Sequence, residues 1–380
     1  MKINILGVGT TEFGELWKIS PRKLAKDAMS DALKDAGKKP EEIDAIFVGN
    51  MLAGMLGNQA NLGPLFSEVL GVSVPAFRIE AACASGGLAL HTAINSIMAG
   101  QYKTVLVLGI EKMTDSSSDE VTAGLMAAGS DEERQAGLTF PGIYALMAQA
   151  YMQKYKISEE ILASISVKNH YHGSLNEKAQ FRRPITIDDV MKSGRIADPL
   201  KLLDCSPISD GAAAVVVSSD NPKSSRPVFI TASEVATDTL SLHNRDSFTT
   251  LTSVVRASGS AYKKTGIKPV DIDVAEIHDC FSIAEAIAVE DLGFSQRGKG
   301  ALDISKGKRT IGKGKIITNP SGGLKACGHP VGATGIKQIA EITQQLRAEA
   351  GLRQVKNAKI GLTHNVGGSG AIAVIHILQS

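Results

Sequence analysis

Phe77-Arg78-Ile79-Glu80-Ala81-Ala82-Cys83-Ala84-Ser85-Gly86-Gly87-Leu88-Ala89-Leu90-His91 reads as a short strand, a tight turn and the opening of a helix. The strand-like run stops at Ala81, small residues follow, and from Ser85 the spacing is helical. Such a turn exposes the Cys83 side chain at a helix N-terminus. There, unpaired amide N–H groups and the positive dipole end favour thiolate and predict a thiol pKa below the ordinary value of about 8.5. The alternative is a small buried thiol, the usual fate of a lone cysteine. Gly86-Gly87 directly after it allow another chain or a ligand to approach closely, which favours the reactive reading.

On either side of this unit, short β-branched runs alternate with helical patterns, the mark of an α/β protein with parallel sheets and covering helices. Strands are predicted over 3–8, 43–49, 76–81 and 104–109, with helices over 21–36, 59–70 and 85–99 between them. The second half repeats the scheme, with strands over 228–233, 274–278, 360–364 and 371–378 and helices over 249–265, 283–292 and 332–347. Two local likenesses support a duplication. Residues 40–49 and 270–279 each leave a helix and run through Ile-Asp into a buried strand, and the helix opening at Cys83 has a counterpart opening after His329. Between the halves, an insert over roughly 111–207 is weak in strand patterns and is expected to cover the active face. Its Met126, Met147 and Met152 read as core or lid packing ahead of a ligand surface.

The bulk composition agrees. A chain of 380 residues with 43% hydrophobic content buries a large core, and 38 glycines against 4% aromatics point to Ala, Val, Ile and Leu packed at close backbone distances. A net charge of +2 from 41 basic and 39 acidic residues leaves no footprint for nucleic acid or an anionic membrane. Basic spots at Arg182-Arg183 and from Arg297 to Lys315 read as solvated loops before phosphate sites. Cysteines 83, 205, 280 and 327 lack zinc-site spacing and are too few to staple the chain, so free thiols in a reducing compartment are expected. With neither a signal-peptide pattern nor a spanning apolar segment, cytoplasmic residence is expected.

Three further segments carry chemistry. In Asn319-Pro320-Ser321-Gly322-Gly323-Leu324-Lys325-Ala326-Cys327-Gly328-His329-Pro330-Val331-Gly332, two glycine clusters flank His329 and Pro330 fixes the backbone after it. A histidine confined in this way can deprotonate a thiol and donate to a developing oxyanion. Glu276-Ile277-His278-Asp279-Cys280-Phe281 ends a buried strand, where ligands of parallel sheets collect; a metal cluster is the rival reading, with no second correctly spaced set to support it. Thr363-His364-Asn365-Val366-Gly367-Gly368-Ser369-Gly370 is a strand ending in a glycine turn whose N–H groups can face an anionic oxygen.

Together these segments resemble those of the thiolase superfamily over essentially the whole chain. The resemblance implies a five-layered α-β-α-β-α fold with two duplicated halves, 1–113 plus 208–225 and 226–380, a loop domain at 114–207, and a dimer or tetramer. It gives Cys83 the role of acylated nucleophile and His329 that of its activator. Common members carry Asn-Glu-Ala-Phe in the third segment and a second catalytic cysteine in the fourth; this chain has His278-Asp279-Cys280-Phe281 and His364-Asn365-Val366-Gly367 instead. That combination is similar to sterol-carrier-protein-type thiolases and archaeal acetoacetyl-CoA thiolases, which makes Cys280 the second catalytic thiol and places His278 beside His329 on a thioester oxygen. The backbone N–H groups of Cys83 and Gly367 would form the other oxyanion hole, with Asn365, Ser321 and Gly322 in contact with substrate. The implied reaction joins two acetyl-CoA into acetoacetyl-CoA and CoA, with no cofactor or metal beyond the CoA thioesters. The implied partners are 3-hydroxy-3-methylglutaryl-CoA synthase and a small OB-fold scaffold in the mevalonate pathway. The rivals are a degradative 3-ketoacyl-CoA thiolase, a ketoacyl synthase and a non-catalytic acyl-CoA-binding paralogue.

Overall fold

Val105 and Val107 of the strand β4 (Thr104–Glu111) face one hydrophobic cluster while Leu106, Leu108 and Ile110 face another. A strand buried on both faces must lie between two layers of helices. The computed structural model, which describes residues 3–220 and 226–380, shows how those layers arise. Residues 221–225 of the expected 208–225 segment, and Met1 and Lys2, lie outside the described residues.

In the N-terminal half, β1 (Ile3–Thr10), α1 (Pro21–Ala36), β2 (Ala45–Gly49), α2 (Leu62–Leu70), β3 (Ala76–Ile79), α3 (Ser85–Met98) and β4 lead into an insert. The insert holds α4 (Ser118–Met126), α5 (Asp131–Gln135), α6 (Phe140–Tyr155), α7 (Glu159–Gly173), α8 (Ile187–Lys192) and the small pair β5 (Arg195–Ala197) and β6 (Leu200–Lys201). The chain returns as β7 (Gly211–Ser218) between β4 and β1. The C-terminal half comprises β8 (Val228–Thr237), α9 (Thr252–Thr265), β9 (Val274–Ile277), α10 (Ser282–Asp291), α11 (Gly300–Ser305), β10 (Ile317–Thr318), α12 (Gly323–Cys327), α13 (Val331–Arg347), β11 (Ile360–Gly367) and β12 (Ile372–Gln379).

The strands run β3-β2-β4-β7-β1 in one half and β10-β9-β11-β12-β8 in the other, the same order in each half's own numbering. The halves join edge to edge where Ile3, Asn4 and Ile5 pair antiparallel with Ile230, Phe229 and Val228. The sheet is mixed, a departure from the parallel sheet expected: β7 runs antiparallel to β4 and β1, and β12 antiparallel to β11 and β8. β12 does so because it returns from β11 through a turn instead of a crossover helix. β7 was not predicted at all, since Gly211-Ala212-Ala213-Ala214 carries no β-branched signal before Val215.

The repeated Ile-Asp has a physical role. Asp44 Oδ2 accepts from Lys103 N and Thr104 N, both at 2.8 Å, and its own N–H donates to Thr104 O. Asp273 Oδ2 accepts from Lys359 N and Ile360 N at 2.8 and 3.0 Å, and its N–H donates to Ile360 O. Each aspartate thus sets the register of two parallel strands at the same point of its half.

Helices α3 and α13 form the central layer. Ala89, Leu90, Ala93, Ile94 and Ile97 of α3 pack with Ile336, Ile339, Ala340 and Ile342 of α13, against Phe47 and Val107 on one side and Val274 and Leu378 on the other. α1 and α2 cover the outer face of the first half. α9, α10 and α6 of the insert cover that of the second, where Met126 and Met147 are buried core. The two central helices cross at glycines: a Cβ on Gly86 would lie 2.6 Å from Gly332 O, and one on Gly335 only 2.2 Å from Gly87 N and 2.3 Å from Asn365 Oδ1. The close approach expected at Gly86-Gly87 is therefore made by α13. Gly335→Ala is expected to cost about 1–3 kcal/mol through overpacking and to lower activity more than stability, read by thermal melts alongside turnover.

Candidate active site

The crossing brings two helix mouths together. Cys83 stands two residues before α3 and His329 two residues before α13, so equivalent positions of the two halves meet. The carboxyl end of β9 adds His278 and Cys280, and that of β11 adds the turn Gly367–Gly370. The Cys83 sulfur and one ring nitrogen each of His278 and His329 lie within 4.8 Å of one another. The two imidazoles meet edge to face, 5.0 Å between centroids. Cys83, Cys280 and His329 line a cavity of about 200 Å³ with apolar walls from Met113, Leu125, Phe140, Pro141, Ile208 and Val331.

The hydrogen-bond network assigns the histidines opposite roles. Thr334 Oγ1 donates to Pro330 O at 3.0 Å, so its 2.7 Å bond to His329 Nδ1 is one in which the ring donates. The proton of neutral His329 is then on Nδ1, and its buried, unpartnered Nε2 offers a lone pair. Asn365 Oδ1 accepts from Gly87 N at 3.1 Å, which turns its Nδ2 toward Cys83 O at 2.9 Å and His278 Nδ1 at 3.3 Å. His278 therefore carries its proton on Nε2, also unpartnered, and presents a donor. Burial, and then the charge of Lys337, hold His329 down to about 3; burial and the neighbouring rings hold His278 well below the usual histidine range. Both rest neutral.

Cys83 departs from expectation. The N–H groups of Gly368 and of Cys83 itself do favour the thiolate, but burial and the nearby Glu111 carboxylate push Cys83 up to about 12. The helix mouth does not overcome desolvation at this depth. At rest the pair is a thiol beside a neutral imidazole. Gly368, next to the Gly367 expected at the oxyanion hole, supplies an N–H that reaches the sulfur, and Gly367 packs directly on Ala81 O.

Several contributors were not foreseen. Glu111, at the end of β4, is fully buried, accepts from Met51 N, Leu52 N and Gly332 N, and is raised by burial to about 7. It pins the α13 mouth to the first half. Ser209 Oγ accepts from His329 N at 3.0 Å. Tyr144 and Cys205 line the cavity from the insert and its exit. No local motif marks any of the four, since each is identified only by what folds against it.

Of the expected substrate contacts, Asn365 is fully buried and holds Cys83 and His278 in place. Ser321 is bonded to Glu276 and Lys337, and Gly322 packs on Gly173; neither is brought to the cavity. The metal cluster weighed for His278-Asp279-Cys280 does not converge. Asp279 turns away to accept from Asn169 Nδ2 at 2.6 Å and Leu324 N at 2.6 Å, with burial raising its pKa. In the basic stretch, Arg297 pairs with Asp291 and Lys308 with Asp303, and buried Arg309 bonds Phe294 O and Ser295.

A cysteine beside a neutral histidine, N–H donors at the sulfur and a second thiol in one small cavity suit an acyltransferase. Comparison places it more closely. The thiolase N-terminal domain matches residues 3–221 and the thiolase C-terminal domain-like family residues 234–380. Acetyl-CoA acetyltransferase of Methanothermobacter thermautotrophicus is 46% identical over 381 residues, covering 99% of each chain. Human sterol carrier protein 2 is 35% identical over 393 residues, covering 98% of this chain and 71% of that protein. The Ltp2-ChsH2(DUF35) aldolase superposes with a TM-score of 0.85 at 24% identity, over 99% of this chain and 97% of that one. Acetyl-CoA acetyltransferase from Syntrophomonas wolfei gives 0.74 at 20% identity, over 100% and 99%. The chain belongs to the thiolase family.

One buried imidazole makes the site's acid sensitivity measurable. His364 Nδ1 accepts from His278 N at 3.2 Å, and burial holds its pKa down to about 3. The unfolded chain therefore binds the extra proton between pH 6.5 and 3, so this contribution to stability is full above pH 6.5 and is lost as pH falls. His364→Asn, which keeps an acceptor for His278 N, is expected to lose about 2 kcal/mol less than the natural chain between pH 7 and pH 5 in urea titrations.

Proposed function

We propose that the protein is an acetyl-CoA C-acetyltransferase that condenses two acetyl-CoA into acetoacetyl-CoA and CoA. The observation that carries this reading is the convergence of Cys83, His329 and His278 within 4.8 Å, with Cys83 and His329 sharing one cavity with Cys280. His329 Nε2 takes the Cys83 proton as the sulfur attacks the first thioester, and the tetrahedral oxygen is held by N–H groups of Cys83 and the Gly367-Gly368 turn. Cys280 protonates the departing CoA sulfur and then removes an α-proton from the second acetyl-CoA. The enolate oxygen is held by His278 Nε2–H and by His329, now protonated on Nε2. The carbanion attacks the acetyl group on Cys83 and releases acetoacetyl-CoA.

The cavity of about 200 Å³ lies below the range usual for drug-sized ligands, which supports short acyl groups over the long chains of a degradative enzyme. The Cys280 thiol supports thiolase chemistry over that of a ketoacyl synthase, where decarboxylation removes the need for a base. A non-catalytic paralogue is disfavoured because Cys83, Cys280 and His329 are all present. The relatives named acetyl-CoA acetyltransferase support the substrate. A cytoplasmic enzyme of the mevalonate pathway, working as a dimer or tetramer with 3-hydroxy-3-methylglutaryl-CoA synthase and a small scaffold, extends the reading. The neighbour whose name pairs it with a DUF35 protein supports a small partner. Among the described residues no helix is long and apolar enough to cross a membrane.

Thiolysis of acetoacetyl-CoA by CoA tests the assignment. Cys83→Ala and His329→Ala are each expected to lose at least about 100-fold in turnover. Cys280→Ala is expected to lose as much while its Cys83 remains open to alkylation by iodoacetamide. Full turnover by Cys280→Ala would end the acid/base assignment, and a preference for long 3-oxoacyl-CoAs would favour the degradative reading.

A further inference from the structure

Cys280 has a difficult task in this setting. Its thiol is buried, and both burial and the neighbouring Cys83 sulfur oppose its ionisation. Lys325 of α12, whose charge eases ionisation of Cys280 only in part, gives a hydrogen bond to Asp204 O. Tyr144, on α6 of the insert, lines the same cavity as Cys280, and its hydroxyl favours the Cys280 thiolate. Its ring is buried and stacked on Phe281 with 4.6 Å between centroids, so the hydroxyl is held in place by the residue next to Cys280 itself. That hydroxyl also donates to Gly368 O at 3.2 Å. A phenol has one proton to give. With that proton directed at the Gly368 carbonyl, the resting hydroxyl has only its oxygen lone pairs to offer Cys280.

We propose that Tyr144 is a further catalytic residue whose hydroxyl turns from the Gly368 carbonyl to the Cys280 sulfur when that sulfur is charged, and so holds the thiolate between the two half-reactions. This rests on the reading of Cys280 as acid and base. The proton count closes without Tyr144 ionising. In the first half-reaction the Cys280 proton goes to the departing CoA sulfur and a thiolate is left. The Tyr144 O–H then donates to that thiolate, keeping its own proton. In the second, the thiolate takes the α-proton of the bound thioester, becomes S–H again, and the hydroxyl returns to Gly368 O. Gly368 carries the N–H that reaches Cys83, so one peptide meets Cys83 through its N–H and Tyr144 through its carbonyl.

The test is Tyr144→Phe, which keeps the ring and its stack on Phe281 and removes only the donor. Condensation by the pre-acetylated enzyme is followed against pH, with Cys280→Ala as the companion variant. Losing a hydrogen bond to a charged sulfur is expected to lower the rate roughly 10- to 100-fold at neutral pH and to move the rising limb of the profile to higher pH. Site-specific 3-fluorotyrosine at 144, a stronger donor, is expected to move the limb the other way. A uniform loss with the limb unmoved would make Tyr144 merely structural and overturn the proposal, as would unchanged kinetics. If Tyr144→Phe fails to fold, the fluorotyrosine limb decides alone. Cys280→Ala with full activity would instead overturn the underlying acid/base reading, so the two failures are distinguishable.

Discussion

The site depends on how closely two helices can approach. Gly86 and Gly87 of α3 face Gly332 and Gly335 of α13 with no room for a Cβ between backbones, and the helix mouths next to those glycines hold Cys83 and His329. A methyl group at the crossing would have to move one helix, and with it Cys83 or His329. Asn365 occupies the same junction, its amide bonded to Gly87, Cys83 and His278 together. Packing, backbone geometry and catalytic alignment are here one constraint.

Low dielectric shapes the chemistry around that crossing. Burial pushes the thiols up and the imidazoles down, so the resting site is neutral instead of the thiolate-imidazolium pair that a helix N-terminus alone suggests. Charge then appears only as bonds form and break. The groups waiting for it, two unpartnered Nε2 atoms and the N–H groups at the sulfur, are already aimed.

Much of this was legible in the chain because it is carried by local patterns. The strand-turn-helix at Cys83, the glycine-flanked His329 and the repeated Ile-Asp each have a spacing that a reader can find, and the element positions follow to within a few residues. β7 escaped because Gly211-Ala212-Ala213-Ala214 is apolar without being β-branched, and its strand state is imposed by β4 and β1 on either side. Glu111, Ser209 and Tyr144 escaped because their roles come from partners far away in sequence. The direction of the Cys83 pKa escaped because the sequence reveals the dipole at the helix mouth but not the depth of the cavity around it.

The duplication has a further consequence. Asp44 and Asp273, and the two helix mouths, show that each half builds the same frame, yet the equivalent positions carry a thiol in one half and an imidazole in the other. Two identical halves brought together by symmetry would set sulfur against sulfur or ring against ring. A thiol can face an imidazole at this crossing only where the two halves have been free to diverge, so the pairing of Cys83 with His329 is a product of broken symmetry.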